Sequence, residues 1–313
     1  MTSVSGHLIG HRAGPTAGHE EGLVVATYRR HYAVTLPDGE ILECVLKGRS
    51  MQIACGDRVG LARTAGGGAI ESIAPRTSLL YRSDAFREKL IAANVTQVVG
   101  VVAPDLGLDE ELIHRWIIAA ESQDCRFVLA ANKSDLPEYS TLLDRLAPFA
   151  ALGYRIVELS AAHDATPIAT WLSANHTVLV GQSGMGKSTI VNALIPAAGI
   201  RVREVSTALG TGRHTTTATT LYPLPTLGAD TWIVDSPGMK AFGLAHLDPG
   251  AIAEAFVELR PLLGHCRFRD CRHDAEPGCA IQAAVDSGLV APHRVALLHS
   301  MIREAQAIRD PAR

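Results

Sequence analysis

Short runs of alternating apolar and polar residues open the chain. Near residue 90 they give way to longer apolar runs separated by stretches with helical spacing. Residues 23–28, 32–36, 41–46, 56–61 and 69–73 read as five strands, with Pro37-Asp38-Gly39 as the tight turn between the second and third. Five short antiparallel strands suggest a small barrel of the oligonucleotide-binding (OB) kind, whose open face binds RNA; a barrel that serves only as a packing module has the same pattern. Beyond residue 90, strands are expected at 95–102, 126–130, 155–159, 177–180 and 231–235, with helices at 109–121, 141–151, 166–174 and 188–194. That alternation predicts a parallel, doubly wound α/β sheet whose functional loops lie at the carboxyl ends of its strands. From residue 246 the pattern changes again, to a helical segment, a Cys/His knot and an amphipathic helix over 292–308. The expected division is therefore a tail (1–20), a barrel (21–76), an α/β domain (77–245) and a small helical, metal-dependent unit (246–313).

Composition narrows this only modestly. With 313 residues, 47% hydrophobic and 19% charged, the chain is long enough for two or three domains and unlike a disordered one. No apolar run approaches the roughly 20 residues of a membrane span, and residues 1–20 lack the apolar core of a secretory signal, so a cytoplasmic, membrane-free protein is expected. His7, His11 and His19 in that first stretch have no metal-site spacing. The net charge of −3 leaves any nucleic-acid contact to local basic patches. Of six cysteines, three cluster near the end of the chain, which fits a metal site in a reducing compartment better than disulfides.

The chemistry begins at Gly181-Gln182-Ser183-Gly184-Met185-Gly186-Lys187-Ser188-Thr189, a GxxxxGK[ST] phosphate loop placed between a predicted strand and a helix. Its glycines let the amides of 183–188 face the α and β phosphates, Lys187 reaches the β/γ oxygens, and Ser188 offers its hydroxyl to Mg²⁺. Asn132-Lys133-Ser134-Asp135 is an NKxD signature. The carboxylate of Asp135 can accept from both N1–H and the 2-amino group of guanine, a donor pair that adenine lacks. Ser160-Ala161, after the strand at 155–159, resembles the SA loop whose amide contacts the base oxygen. NKxD ordinarily follows the phosphate loop; here it precedes it, as in a circularly permuted GTPase.

Two further loops belong to this set. The 231–235 strand ends in Asp235-Ser236-Pro237-Gly238: the aspartate suits water-mediated Mg²⁺ binding and the Gly238 amide suits γ-phosphate sensing, although DSPG alone is an ordinary turn. Between it and the phosphate loop, 212–217 (GRHTTT) is hydroxyl-rich and can place a threonine such as Thr216 on Mg²⁺ and the γ phosphate. Met239 occupies the place where Ras-like enzymes carry a water-orienting glutamine, which makes His214 the candidate for that role. A metabolic P-loop ATPase or kinase, and a non-hydrolysing RNA-binding scaffold, are the competing classes.

Cys266, Cys271, His273 and Cys279 place three thiolates and one imidazole within fourteen residues, a set suited to one closed, structural Zn²⁺ site. His265 is a competing ligand for His273, and Cys44, Cys55 and Cys125 read as small buried apolar residues. Arg267, Arg269 and Arg272 interleave with the ligands; solvated charge and phosphate contact are the two readings of that basic face.

With these motifs, Pro75-Arg76-x-Ser78, 91–95 (IAANV) and Phe242-Gly243-Leu244 in place, residues 22–300 resemble the bacterial RsgA family of ribosome small subunit-dependent GTPases. The resemblance implies an OB-fold, a circularly permuted α/β P-loop GTPase domain and an α-helical zinc-binding domain. It implies GTP/GDP, Mg²⁺ and Zn²⁺ as cofactors, and engagement of the small ribosomal subunit and its rRNA late in maturation; a monomer is the separate expectation. It also implies subunit-stimulated hydrolysis in which His214 takes part. The Asp235–Gly238 turn ends the GTPase domain and leads within about thirty residues into the cysteine knot, so a γ-phosphate-dependent shift there can pass to a domain holding RNA.

Overall fold

The computed structural model describes residues 20–28, 31–48, 51–84, 87–195, 219–235 and 242–309. The tail with His7, His11 and His19, the loop with His214 and Thr216, and the segment with Gly238 and Met239 lie outside the described residues.

Strands β1 (Glu20–Thr27), β2 (Tyr32–Thr35), β3 (Ile41–Leu46), β4 (Arg58–Thr64) and β5 (Gly67–Ile73) form the barrel. Their order is β1-β2-β3-β5-β4, and β4 returns to β1, so the barrel closes. One pair, β3–β5, is parallel rather than antiparallel, which is the Greek-key closure of an OB-fold. Glu20 belongs to β1 and not to the tail. Val24, Val34, Leu42, Cys44, Val59, Leu61 and Ile70 fill the interior. A bulge between Val24 and Ala26 lets β1 serve two sheets: 20–23 pair with β4, while Ala26 and Thr27 pair with β12 (Thr219–Pro223). Val24 joins the barrel core while Val25 and Ala26 join the core of the main sheet, so all three are buried where an exposed sheet would alternate.

A buried ion pair fastens the barrel to the segment that leaves it. Asp57 is fully buried, accepts from the Ala54 amide at 2.7 Å, and takes Nε and Nη2 of Arg76 at 2.7 and 2.8 Å. Removing one partner of such a pair costs about 3–5 kcal/mol because the other charge stays buried. Ser78 Oγ donates to the Val95 carbonyl at 2.7 Å, and Asn94 Nδ2 donates to the Gly56 carbonyl at 2.9 Å. The IAANV segment thus fastens the α/β domain to the barrel, helped by the Ala93 amide donating to the Cys55 carbonyl at 2.8 Å, while the PRxS segment anchors the chain on each side of the domain boundary.

Strands β6 (Leu79–Asp84) and β7 (Arg87–Ala93) make a separate hairpin that the hydrophobic pattern did not predict. The main sheet runs β10 (Arg155–Glu158), β9 (Arg126–Ala131), β8 (Gln97–Val102), β11 (His176–Val180), β13 (Trp232–Asp235), β12. The first five, the strands expected from the sequence, are parallel; β12, which the pattern did not predict, is antiparallel to β13. The connection from Pro223 to Trp232 is too short for the dozen or more residues of a parallel crossover. Helices α1 (Glu110–Glu121), α2 (Tyr139–Ala151), α3 (Thr166–Leu172) and α4 (Lys187–Leu194) accompany the sheet.

The C-terminal unit comprises α5 (Pro249–Glu254), α6 (Ala280–Asp286) and α7 (Pro292–Arg309) around Phe256, Leu259, Ile281, Leu298 and Met301. It docks on α1: Ile118 enters its core, Arg115 pairs with Glu304, and Arg260 with Glu121. Arg294 is nearly buried, pairs with Glu258, lies over Phe256 at 4.8 Å, and has Nη1 2.9 Å from Nε2 of His114. Burial, aided by the charge of Arg294, pushes His114 down to about 3. The folded chain keeps this imidazole neutral, while the unfolded chain takes a proton below about pH 6.5. Stability is therefore full above that pH and falls on acidification, by about 1.4 kcal/mol at pH 5.5. Urea melts at pH 7.5 and 5.5 should show this loss in the wild type and a smaller one in His114→Gln; equal losses would place the acid sensitivity elsewhere. No helix among the described residues is long and apolar enough to cross a membrane.

Candidate functional site

From β8 the chain builds outward through β9 to β10, then resumes with β11 on the other side of β8. The crevice at the carboxyl ends of β8 and β11 is therefore a topological switch point, where open α/β sheets bind ligands. The phosphate loop leaves β11, the NKSD loop leaves β9, the Ser160-Ala161 turn follows β10, and Asp235 ends β13. All of these ends lie on one rim of the sheet.

Local sequence shapes the phosphate loop. Gly181 adopts φ 149°, and a Cβ there would sit 2.5 Å from the Val101 carbonyl oxygen. Gly186 adopts φ 97° before α4, and a Cβ there would meet Nδ2 of Asn132 at 2.2 Å. That close approach is used: Asn132 Nδ2 donates to the Met185 carbonyl at 2.9 Å, and its Oδ1 accepts from the Ala161 amide at 2.9 Å. Asn132, itself buried, thus ties the phosphate loop to the base-side loops. Lys187 is 8% exposed, and its Nζ donates to the Gly181 and Gln182 carbonyls at 2.7 and 3.0 Å. Burial lowers its pKa and raises that of Asp235, and each charge partly opposes the other's shift. Gln182 is half-buried and Met185 buried, while Ser183, Gly184, Ser188 and Thr189 face solvent on the same rim.

On the base side, Asp135 is exposed and accepts from Ser160 Oγ, the leading cause of its lowered pKa. Ser160 Oγ is also 2.9 Å from His163 Nδ1. Ser134 is exposed, and its amide donates to the Leu159 carbonyl at 3.2 Å. Lys133 takes a left-handed φ of 62°, and its Nζ pairs with Asp105 at 2.5 Å. Asp105 and Leu106 belong to the loop after β8, which no motif flags; the half-exposed Leu106 stands over Gly184. The signal that could have found them was positional, since any loop leaving the strand beside the phosphate-loop strand borders the crevice.

The second cluster lies in the C-terminal unit. The ligand atoms of Cys266, Cys271, His273 and Cys279 all fall within 4.8 Å of one another, and His265 is not among them. His273 Nδ1 is 3.5 and 3.6 Å from the sulfurs of Cys266 and Cys279, which are 4.0 Å apart. Metal–ligand bonds of about 2.0–2.3 Å in a tetrahedron require separations of about 3.5–3.8 Å, so the donor set is compatible with zinc and slightly wider than the bound tetrahedron. Burial lowers the pKa of His273, leaving a neutral imidazole with a lone pair for a metal. The Ala280 and Gln282 amides donate to the sulfurs of Cys266 and Cys279 at 3.4 and 3.5 Å, which steadies thiolates at the start of α6.

A guanine-type base loop and a phosphate loop, stapled together in inverted chain order on a five-stranded parallel rim, define a circularly permuted P-loop GTPase. The family model described as RsgA GTPase matches residues 73–245. A relative from Burkholderia pseudomallei (strain 1710b), named small ribosomal subunit biogenesis GTPase RsgA, is 47% identical over 92% of this chain and 93% of its own. A relative of the same name from Nitrosospira multiformis is 46% identical over 96% of both chains. The crystal structure of YjeQ from Thermotoga maritima superposes with TM-score 0.68 at 26% identity, covering 92% of this chain and 99% of that one. YloQ, titled a circularly permuted GTPase, gives TM-score 0.66 over 97% and 99% at 22% identity, a likeness of fold. The chain belongs to the RsgA GTPase family.

Proposed function

We propose that this protein binds the small ribosomal subunit and hydrolyses GTP to GDP and phosphate late in that subunit's maturation, with stimulation by the subunit. What carries the reading is the Asn132 staple between the base and phosphate loops, in a chain matched along 92% of its length by relatives named for small-subunit biogenesis.

In this reading Asp135 selects guanine, and Asn132, Lys133, Ser134, Ser160 and Ala161 complete the base pocket. The loop from Gly181 to Thr189 cradles the phosphates, with Lys187 on the β/γ oxygens. Ser188, Thr216 and Asp235 would hold Mg²⁺, Gly238 would sense the γ phosphate and His214 would orient the attacking water. Mg²⁺ would supply charge neutralisation on the phosphates, and Cys266, Cys271, His273 and Cys279 would hold one Zn²⁺ of structural role. The working division is 21–76, 77–245 and 246–313, in a cytoplasmic monomer that also touches rRNA.

Guanine selection is tested by Asp135→Asn. GTP affinity should fall at least about 100-fold, with xanthosine triphosphate preferred, because a buried mismatch of donors is heavily penalised. ATP competing as well as GTP for the wild type would overturn the assignment.

A further inference from the structure

Two side chains converge on the single hydroxyl of Ser160. One is Asp135, on the loop after β9; the other is His163, in the turn that follows β10. Nδ1 of His163 lies 2.9 Å from Ser160 Oγ, and among the described residues the ring has no other hydrogen-bond partner. Counting protons gives both bonds a direction. Asp135 is a carboxylate at neutral pH, its pKa held below the ordinary value first of all by the Ser160 hydrogen bond, and a carboxylate can only accept. The one proton of the serine hydroxyl therefore goes to Asp135. His163 must then carry a proton on Nδ1 and donate it to the serine oxygen.

The backbone keeps these three groups in register. The Ser160 carbonyl accepts from the amides of His163 and Asp164, each at 2.8 Å. Oδ1 of Asp164 in turn accepts from the Thr166 amide at 2.8 Å, which joins the turn to the start of α3. The Ala161 amide is held by Asn132, so the same turn is also tied to the NKSD loop. The imidazole itself is exposed on the rim of the site.

A serine hydroxyl left alone swings among its rotamers, and a carboxylate turns broadly about its last torsion. A donor on the far side of Ser160 leaves that hydroxyl one useful direction, and the hydroxyl then fixes the plane of the carboxylate. Guanine requires that plane, because N1–H and the 2-amino group must meet the carboxylate together. We propose that His163 is a positioning residue for guanine, setting Ser160, and through it Asp135, before the base arrives. The inference rests on the guanine reading of this site.

The test is equilibrium titration of the full-length protein with GTP, with ATP, and with inosine triphosphate, which keeps N1–H and lacks the 2-amino group. His163→Ala should weaken GTP about fivefold, the scale of one hydrogen bond, and inosine triphosphate less, since a single donor is less demanding of the carboxylate's plane. His163→Asn, whose amide N–H can stand where Nδ1–H stood, should recover most of that loss. In a Ser160→Ala background His163→Ala should cost nothing further, because the relay is already cut. The ¹⁵N spectrum of histidine-labelled protein, assigned by the resonance lost in the variant, should show a proton on Nδ1 of His163. A GTP loss below about twofold, an undiminished loss in the Ser160→Ala background, or a bare Nδ1 would overturn the relay, and wild-type preference for GTP over ATP would leave the guanine reading intact. Wild-type protein that takes ATP as well as GTP would instead remove that reading, and the relay's purpose with it.

Discussion

Lys187→Ala is expected to lower GTP turnover by at least about 100-fold while leaving the fold in place, the scale seen when one preorganised donor to developing charge is removed. The side chain is buried, yet among the described residues its amine bonds to the Gly181 and Gln182 carbonyls of its own loop. Its truncation therefore empties the phosphate cradle without opening the core. One structural cost is foreseen: the burial that raises the pKa of Asp235 would no longer be opposed by the lysine's charge. Single-turnover hydrolysis and a thermal melt monitored by circular dichroism check both halves. A variant that turns over at the wild-type rate would remove the phosphate-loop assignment.

Much of this site was legible because its chemistry is local. A phosphate loop must be glycine-rich to bring amides to phosphate, and a base-reading aspartate sits a fixed distance from its asparagine, so both can be found from short spacings. The barrel strands were legible from alternation, and the Cys/His cluster from residue type. What the pattern hid is long-range. The pairing of Ala26 and Thr27 with Thr220 and Thr219 joins segments almost two hundred residues apart, and nothing in either segment announces the other. The Asp57–Arg76 pair was hidden for a similar reason, because a charge fully buried in a barrel looks in sequence like any turn aspartate. The β6–β7 hairpin carries too many polar residues to stand out as strands. Asp105 was missed because its place in the site depends on strand order in the sheet.

Cys271→Ser should release about one Zn²⁺ per chain and melt the segment around residues 260–285, since structural zinc contributes about 10–16 kcal/mol to such small units. Cys266 and Cys271 pack against the C-terminal core, and Cys279 caps α6, so losing the metal removes both a crosslink and a helix start. The sheet and its nucleotide loops have their own core, joined to this unit mainly through α1. Slow intrinsic hydrolysis should therefore persist while small-subunit binding and the stimulation it brings are lost. Metal analysis, hydrogen exchange and hydrolysis assays on one preparation measure all three. Stoichiometric zinc in the variant, or zinc loss with stimulation intact, would contradict this role for the cluster.

The pairing of β1 with β12 suggests why a permuted GTPase suits a ribosome-bound task. β12 comes directly after the 212–217 loop and is shared between the main sheet and the barrel. Asp235 ends the neighbouring strand and leads toward the C-terminal unit. A change at the γ phosphate thus has a short covalent and hydrogen-bonded path to each flanking domain. Single-turnover GTP hydrolysis with and without purified small subunits tests that account most directly. Small subunits should accelerate the wild-type protein by about 100-fold or more, as partner-ordered GTPase sites allow, and large subunits should not. Equal rates with and without small subunits would contradict it.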